Sequence, residues 1–303
     1  YVYKDENNGT YYMLLCARPQ EGNALRKGQT IRMKSTNLST WTFDKIVYAP
    51  DAFHTHECPD LFQIGDTWYL IFSEYSDRSV TCYRTAPSPD GPWSKPSIDT
   101  FDGRAYYAAK TTTDGKDRYL FGWVPTRWEN KDNGFWMWGG NLVVHKLLQT
   151  IQDAFCNKIK IPDICVDSLH KCTVSEICEN APKTFRLTAK VKVDPQTDRF
   201  GLLLFRNASE DKAYELKFDL AAKTLSANTF PCFPQNQFGT YMLTRPVDKV
   251  TYIELIVDDD IAVLYANNTT ALSVRFCNKF GNRLDMYVSD GKVEFTNIEL
   301  MWL

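Results

Sequence analysis

Polar and apolar positions in this chain repeat on the period of extended strands rather than of helices. Through the first half, short apolar runs at 11–17, 68–72, 80–85, 105–109 and 119–124 are separated by turns rich in Gly, Asp, Asn or Ser. Asn7-Asn8-Gly9 predicts a hairpin joining Tyr1-Val2-Tyr3 to the run at 11–17, because Asn and Gly accept the backbone angles of tight turns. Gly65-Asp66 predicts another between Leu61-Phe62-Gln63-Ile64 and 67–72. Two loops, 35–41 and 86–93, each close on a tryptophan. Short strands recurring with an aromatic marker are the pattern of a β-propeller. With blades of roughly 40–50 residues, 1–148 supplies about three. Three blades do not close a ring, and the chain opens inside a hairpin. The expectation is an incomplete propeller with further sequence upstream.

The pattern breaks at 149–180, where Ile151 to Ile164 lacks clear alternation and Pro162 interrupts any helix. That stretch reads as a linker holding a helical turn. From Thr184 alternation is clean, with Phe185, Leu187, Ala189, Val191 and Val193 on one face and Arg186, Thr188, Lys190 and Lys192 on the other. Further strands are predicted at 201–206, 213–219, 251–257, 261–266, 271–276, 284–288 and 292–300. Strands at this density argue a β-sandwich over 181–303. Asp258-Asp259-Asp260 reads as a hairpin turn ahead of a calcium site. The chain is therefore expected to be all-β, a partial propeller over 1–148 and a linker over 149–180 preceding the sandwich.

Composition then narrows the function classes. With a net charge of −2 over 303 residues, no electrostatic footprint for nucleic acid or an anionic membrane is visible. No apolar run approaches the roughly 18 residues of a membrane span. Aromatic content of 14%, with 8 Trp and 16 Tyr, suits strands and also a site that stacks sugar rings. The nine cysteines are scattered. Cys16, Cys58 and Cys82 lie in apolar runs, as buried thiols do. Cys156, Cys165, Cys172 and Cys178 lack the Cys-x-x-Cys spacing of zinc sites. A reduced, cytoplasmic protein is the expectation. Sequons at Asn8, Asn37, Asn207, Asn267 and Asn268 do not decide this, and secretion stays open.

The candidate chemistry centres on His54-Thr55-His56-Glu57-Cys58-Pro59-Asp60-Leu61-Phe62, which sets one carboxylate between a polar rim and an apolar strand. Glu57 has two plain readings, a catalytic acid or a strand-end carboxylate paired to Arg78 or Arg84. His54 and His56 beside Glu57 would also suit the start of a metal site, but His145 and His170 form no matching pair.

Glu57-Cys58-Pro59-Asp60-Leu61 resembles the Glu-Cys-Pro motif of glycoside hydrolase family 32, the invertases, levanases and inulinases. Asp102 with Tyr106-Tyr107-Ala108-Ala109-Lys110 resembles the family's Asp and Tyr-Ala-x-Lys block. Phe121-Gly122-Trp123 resembles its Gly-Trp strand, and Trp138-Gly139-Gly140-Asn141-Leu142 the segment closing the propeller. The stretch from Ile253 to Ala266, with Leu272-Ser273-Val274-Arg275, is similar to the appended sandwich. The resemblance implies a five-bladed propeller followed by a sandwich and retaining hydrolysis of β-fructosides, without cofactor or metal. Glu57 would be the general acid/base. Asp102 would accept bonds from sugar hydroxyls, Trp123 would offer an apolar face, and Arg104 would be a further substrate contact. The bland readings are a turn-shaping Asp102 and a Trp123 in plain core.

The implied partner is a fructose-containing di-, oligo- or polysaccharide, and oligomeric state is not legible. The family's Asn-Asp-Pro-Asn-Gly and Arg-Asp-Pro motifs, which carry its nucleophile and its transition-state-stabilising Asp, do not occur in the chain. These 303 residues alone are therefore expected to be inactive. A non-catalytic carbohydrate-binding protein and a related propeller hydrolase of arabinosides are the alternatives.

Overall fold

The computed structural model describes residues 1–19, 24–76, 78–104, 106–150, 153–160, 170–173, 178–207, 209–210, 212–230, 241–243, 249–288 and 291–302. Regular structure among them is extended, apart from short 3-10 turns at Ala24–Arg26 and Trp128–Asn130. The chain divides into two compact units. One holds Tyr1–Phe101, Tyr106–Trp123 and Leu147–Asn157, the other Asp102–Ala105, Val124–Lys146 and Lys158–Leu303.

Three antiparallel meanders follow one another in sequence. The first is β1 (Val2–Lys4), β2 (Tyr11–Ala17), β3 (Gln29–Ser35) and β4 (Thr42–Tyr48), paired in chain order. The second is β5 (Thr55–Ile64), β6 (Thr67–Tyr75) and β7 (Val80–Ala86). The third is β8 (Tyr107–Thr113), β9 (Arg118–Arg127), β10 (Trp136–Thr150) and β11 (Asp153–Lys160), whose residues are divided between the two units. Each is one up-and-down propeller blade, and three are too few to close a ring.

Both predicted hairpins form. Val2 pairs Met13 across a turn with Gly9 at φ 72°, and Ile64 pairs Thr67 around Gly65 at φ 56°. Leu14, Val47, Leu61, Leu70, Phe72, Val80 and Cys82 form a buried core in the first unit, with Tyr48, Phe53, Trp68 and Trp93 packed against it. The two tryptophan-closed loops differ. Trp93 reaches this core, while Trp41 donates to Leu38 O at 3.0 Å within its own loop.

Alternation along β5 sends His56 inward, where it is fully buried and stacks on Phe72 with ring centroids 4.6 Å apart. Its Nδ1 lies 3.4 Å from Thr30 Oγ1. Burial, and then the nearby Arg84 cation, lower the imidazole from 6.5 to about 4. Arg84 is itself buried, donating to Asp99 at 2.9 Å and to Tyr48 Oη at 2.7 Å. In β9, Gly122 is required by packing. A Cβ there would sit 2.5 Å from the Tyr106 ring, which lies over the glycine while its hydroxyl donates to Leu120 O at 3.0 Å.

In the second unit, further strands are β12 (His170–Thr173), β13 (Thr184–Val193), β14 (Arg199–Asn207), β15 (Lys212–Asp219), β16 (Thr224–Phe230), β17 (Tyr241–Leu243), β18 (Tyr252–Asp258), β19 (Ile261–Ala266), β20 (Thr270–Arg275), β21 (Arg283–Val288) and β22 (Val293–Trp302). They form a six-stranded sheet in the order β12-β22-β13-β18-β19-β20 and a five-stranded sheet in the order β17-β16-β15-β14-β21. These are the two layers of a β-sandwich, with Phe200 and Phe218 stacked in its core at 4.7 Å.

Asp259-Asp260 makes the β18–β19 hairpin turn, as predicted, with Asp259 at φ 50°. Extended structure also runs where a linker with a helical turn was expected, in β11 and β12. β16 was not foreseen, although Leu225 and Ala227, both buried, alternate with Thr224, Ser226 and Asn228. Of the clustered cysteines, Cys165 lies outside the described residues and Cys178 is a free thiol.

Gly122→Ala is expected to lower the urea-unfolding stability of the protein by about 1–3 kcal/mol, the cost of overpacking against Tyr106. His56 should make stability fall between pH 6.5 and about 4. The unfolded imidazole takes a proton below its ordinary value while the folded one resists it, so the loss grows to about 3 kcal/mol at the acid end. Urea unfolding at pH 7 and pH 5 measures this, and His56→Phe should flatten that part of the dependence.

Candidate functional site

Glu57 stands at an irregularity in its own strand. It pairs with Ser73, and the next register pair is Asp60 with Ile71, so Cys58 and Pro59 together oppose a single residue. That is a β-bulge, and Cys58 takes φ 50° to make it. Pro59, which has no N–H, falls where the ladder requires none. Alternation places the half-buried Glu57 on the face opposite the buried His56, and the bulge follows directly after it.

An equivalent bulge lies in β8. Tyr107 pairs with Trp123 and Lys110 with Phe121, leaving Ala108 and Ala109 opposite Gly122, with Ala108 at φ 54°. The two bulged segments are bonded position by position. Tyr107 Oη donates to Glu57 Oε2 at 2.9 Å, and Lys110 Nζ to Pro59 O at 2.7 Å. Thr111 N and Oγ1 donate to Asp60 Oδ2 at 2.6 and 2.8 Å. Thr55 Oγ1 donates to the other Glu57 oxygen at 3.2 Å. Burial first, and the Glu57 charge second, hold the Tyr107 hydroxyl well above the usual tyrosine value, so it stays a donor. Burial likewise pushes the Cys58 thiol up, keeping it protonated.

Trp123 is half-buried, with its ring centroid 6.3 Å from that of Tyr107. Glu57 and Trp123 therefore share Tyr107 as a neighbour. The strand-end reading of Glu57 does not match the geometry, since Arg78 pairs with Glu74 at 2.7 Å and Arg84 with Asp99 at 2.9 Å. The two histidines also diverge. His54 Nε2 lies 3.0 Å from Arg18 Nη1, while His56 is enclosed by aromatic rings.

Asp102 belongs to the second unit and its side chain is fully buried. Oδ1 accepts from Gly103 N at 2.6 Å and Ser273 N at 2.7 Å. Oδ2 accepts from Ser273 Oγ at 2.6 Å and lies 2.9 Å from His145 Nε2. His145 Nδ1 lies 2.7 Å from Tyr265 Oη, completing a buried polar chain. Burial pushes the Asp102 carboxyl up, but the bonds and charge of His145 and the two Ser273 bonds outweigh it and hold it below the usual carboxylate value. Four bonds use up the acceptor capacity that the resemblance assigned to sugar hydroxyls. Asp102 instead anchors its loop, including the Asp-Gly turn. Arg104, in the same loop, lies over the Trp136 ring at 5.3 Å. Sequence reasoning missed Tyr107 and Asp60. Both stand in the quoted motifs, but nothing in their spacing shows that they bond across strands.

Residues 1–155 match the glycosyl hydrolases family 32 N-terminal domain. Sucrose-6-phosphate hydrolase of Escherichia coli is 30% identical over 140 residues, which span 40% of this chain and 28% of that protein. The structure of sucrose-6-phosphate hydrolase from Lactobacillus gasseri aligns with TM-score 0.75 at 16% identity, covering 99% of this chain and 64% of its own. Fructan 1-exohydrolase IIa from Cichorium intybus, in complex with 1-kestose, aligns with TM-score 0.75 at 13% identity, covering 99% of this chain and 70% of its own. At such identities the structural likeness shows a common propeller-and-sandwich fold, and this chain spans less than two thirds of the first of these structures. Family membership rests on the sequence match, which takes in more than half of the chain: it belongs to glycosyl hydrolase family 32.

Proposed function

We propose that the protein carrying this chain hydrolyses β-fructosides with retention of configuration, and that Glu57 is its general acid/base. The observation that carries this reading is a half-buried carboxylate, set on a bulge and held through one oxygen by Tyr107, in a member of family 32. Glu57 protonates the leaving oxygen and later takes a proton from water as a fructosyl-enzyme is hydrolysed. Trp123 offers the apolar face of the sugar a surface. Because Asn-Asp-Pro-Asn-Gly and Arg-Asp-Pro are absent from these residues, the nucleophile and the stabilising Asp are assigned to sequence outside them. The second reading, carbohydrate binding without turnover, is favoured for the isolated 303 residues by that same absence.

The test uses the full gene product with sucrose, sucrose 6-phosphate, 1-kestose, inulin and levan. Fructose release is expected on at least one, with Glu57→Gln lowering kcat by about 10²–10⁴-fold. Proton NMR of the first-formed fructose should show the retained anomer. Turnover that survives in Glu57→Gln, or absence of fructose release on every substrate, overturns the reading. The isolated chain is expected to bind a fructoside in calorimetry without releasing fructose, and release by it overturns the assignment of the nucleophile elsewhere.

A further inference from the structure

We infer that Tyr107 is the positioning residue of Glu57, and that the two bulges, clamped at Asp60, aim the carboxylate so that Oε1 carries the proton. This rests on Glu57 being the acid/base group.

The Tyr107 hydroxyl donates to Oε2 at 2.9 Å, which occupies that oxygen and fixes the rotation of the carboxyl. Among the described residues Oε1 has only the longer 3.2 Å contact from Thr55 Oγ1, so it is the oxygen left to meet a leaving group. Tyr107 can aim Glu57 only if β5 and β8 keep their relative register. That register is held one step away, where Asp60, fully buried, takes two bonds from Thr111 through one oxygen. Lys110 closes the gap between them by donating to Pro59 O at 2.7 Å. Cys58 and Ala108, the residues following Glu57 and Tyr107, both lie at positive φ, so each side chain of the bonded pair leaves its strand from the same local geometry.

Tyr107→Phe in the full gene product tests this. On sucrose, kcat is expected to fall about 10–100-fold with KM changed less than about threefold, as for a misaimed catalytic group. The loss should shrink on an aryl β-fructofuranoside whose acidic phenol departs without protonation. Thr111→Val, which loosens the clamp without touching Glu57, should change the same quantities less and in the same direction, and it serves if Tyr107→Phe does not fold. Equal losses on both substrates overturn the inference, as does a variant with parental rates. If Glu57→Gln keeps sucrose turnover, the acid/base reading fails and the inference with it. If Glu57→Gln collapses turnover while Tyr107→Phe behaves as the parent, the inference alone fails.

Discussion

The interlock of residues 57–60 with 107–111 is the constraint on which the candidate site depends. Each segment carries a non-glycine residue at positive φ, which costs on the order of 1–2 kcal/mol against ordinary strand geometry. Neither bulge gains anything from its own ladder, because each leaves residues opposite a single partner. The compensation lies in the bonds from Tyr107, Lys110 and Thr111 to Glu57, Pro59 and Asp60. Each contributes about 0.5–1.5 kcal/mol net, more where a carboxylate accepts. Two distortions that would be unfavourable alone stabilise one another, and the outcome is a carboxylate with one fixed oxygen.

The surroundings of that site follow from packing. Phe72 and Tyr48 hold His56 neutral behind Glu57, so the strand presents a carboxylate on one side and an uncharged ring on the other. Gly122 lets the Tyr106 ring lie flat on β9, which seats the Tyr106-Tyr107 pair and brings Trp123 beside Tyr107. In the second unit, Asp102 shows the same chemistry turned to stability. An ionised carboxylate buried without partners would cost several kcal/mol, and the bonds from Gly103, Ser273 and His145 remove that penalty.

Much of this was legible in the linear chain. Alternation marked most strands of both units, and Asn7-Asn8-Gly9, Gly65-Asp66 and Asp258-Asp259-Asp260 marked hairpin turns, because turn chemistry and side-chain period are local properties. β16 escaped for a local reason too. Its alternation rests on only two apolar residues, Leu225 and Ala227, too short a signal beside the ladder it forms with β15.

What the sequence by itself determined is therefore the all-β class, the order of blades before sandwich, and Glu57 as the carboxylate to watch. Only the tertiary structure decided how Glu57 is held, that Tyr107 and Asp60 belong with it, and that Asp102 is spent on Ser273 and His145. The physical reason is separation along the chain. Tyr107 lies 50 residues from Glu57, and Asp102 lies 171 from Ser273. Hydrogen bonds between residues so far apart leave no trace in local period or propensity, and they exist only once strand register has been set.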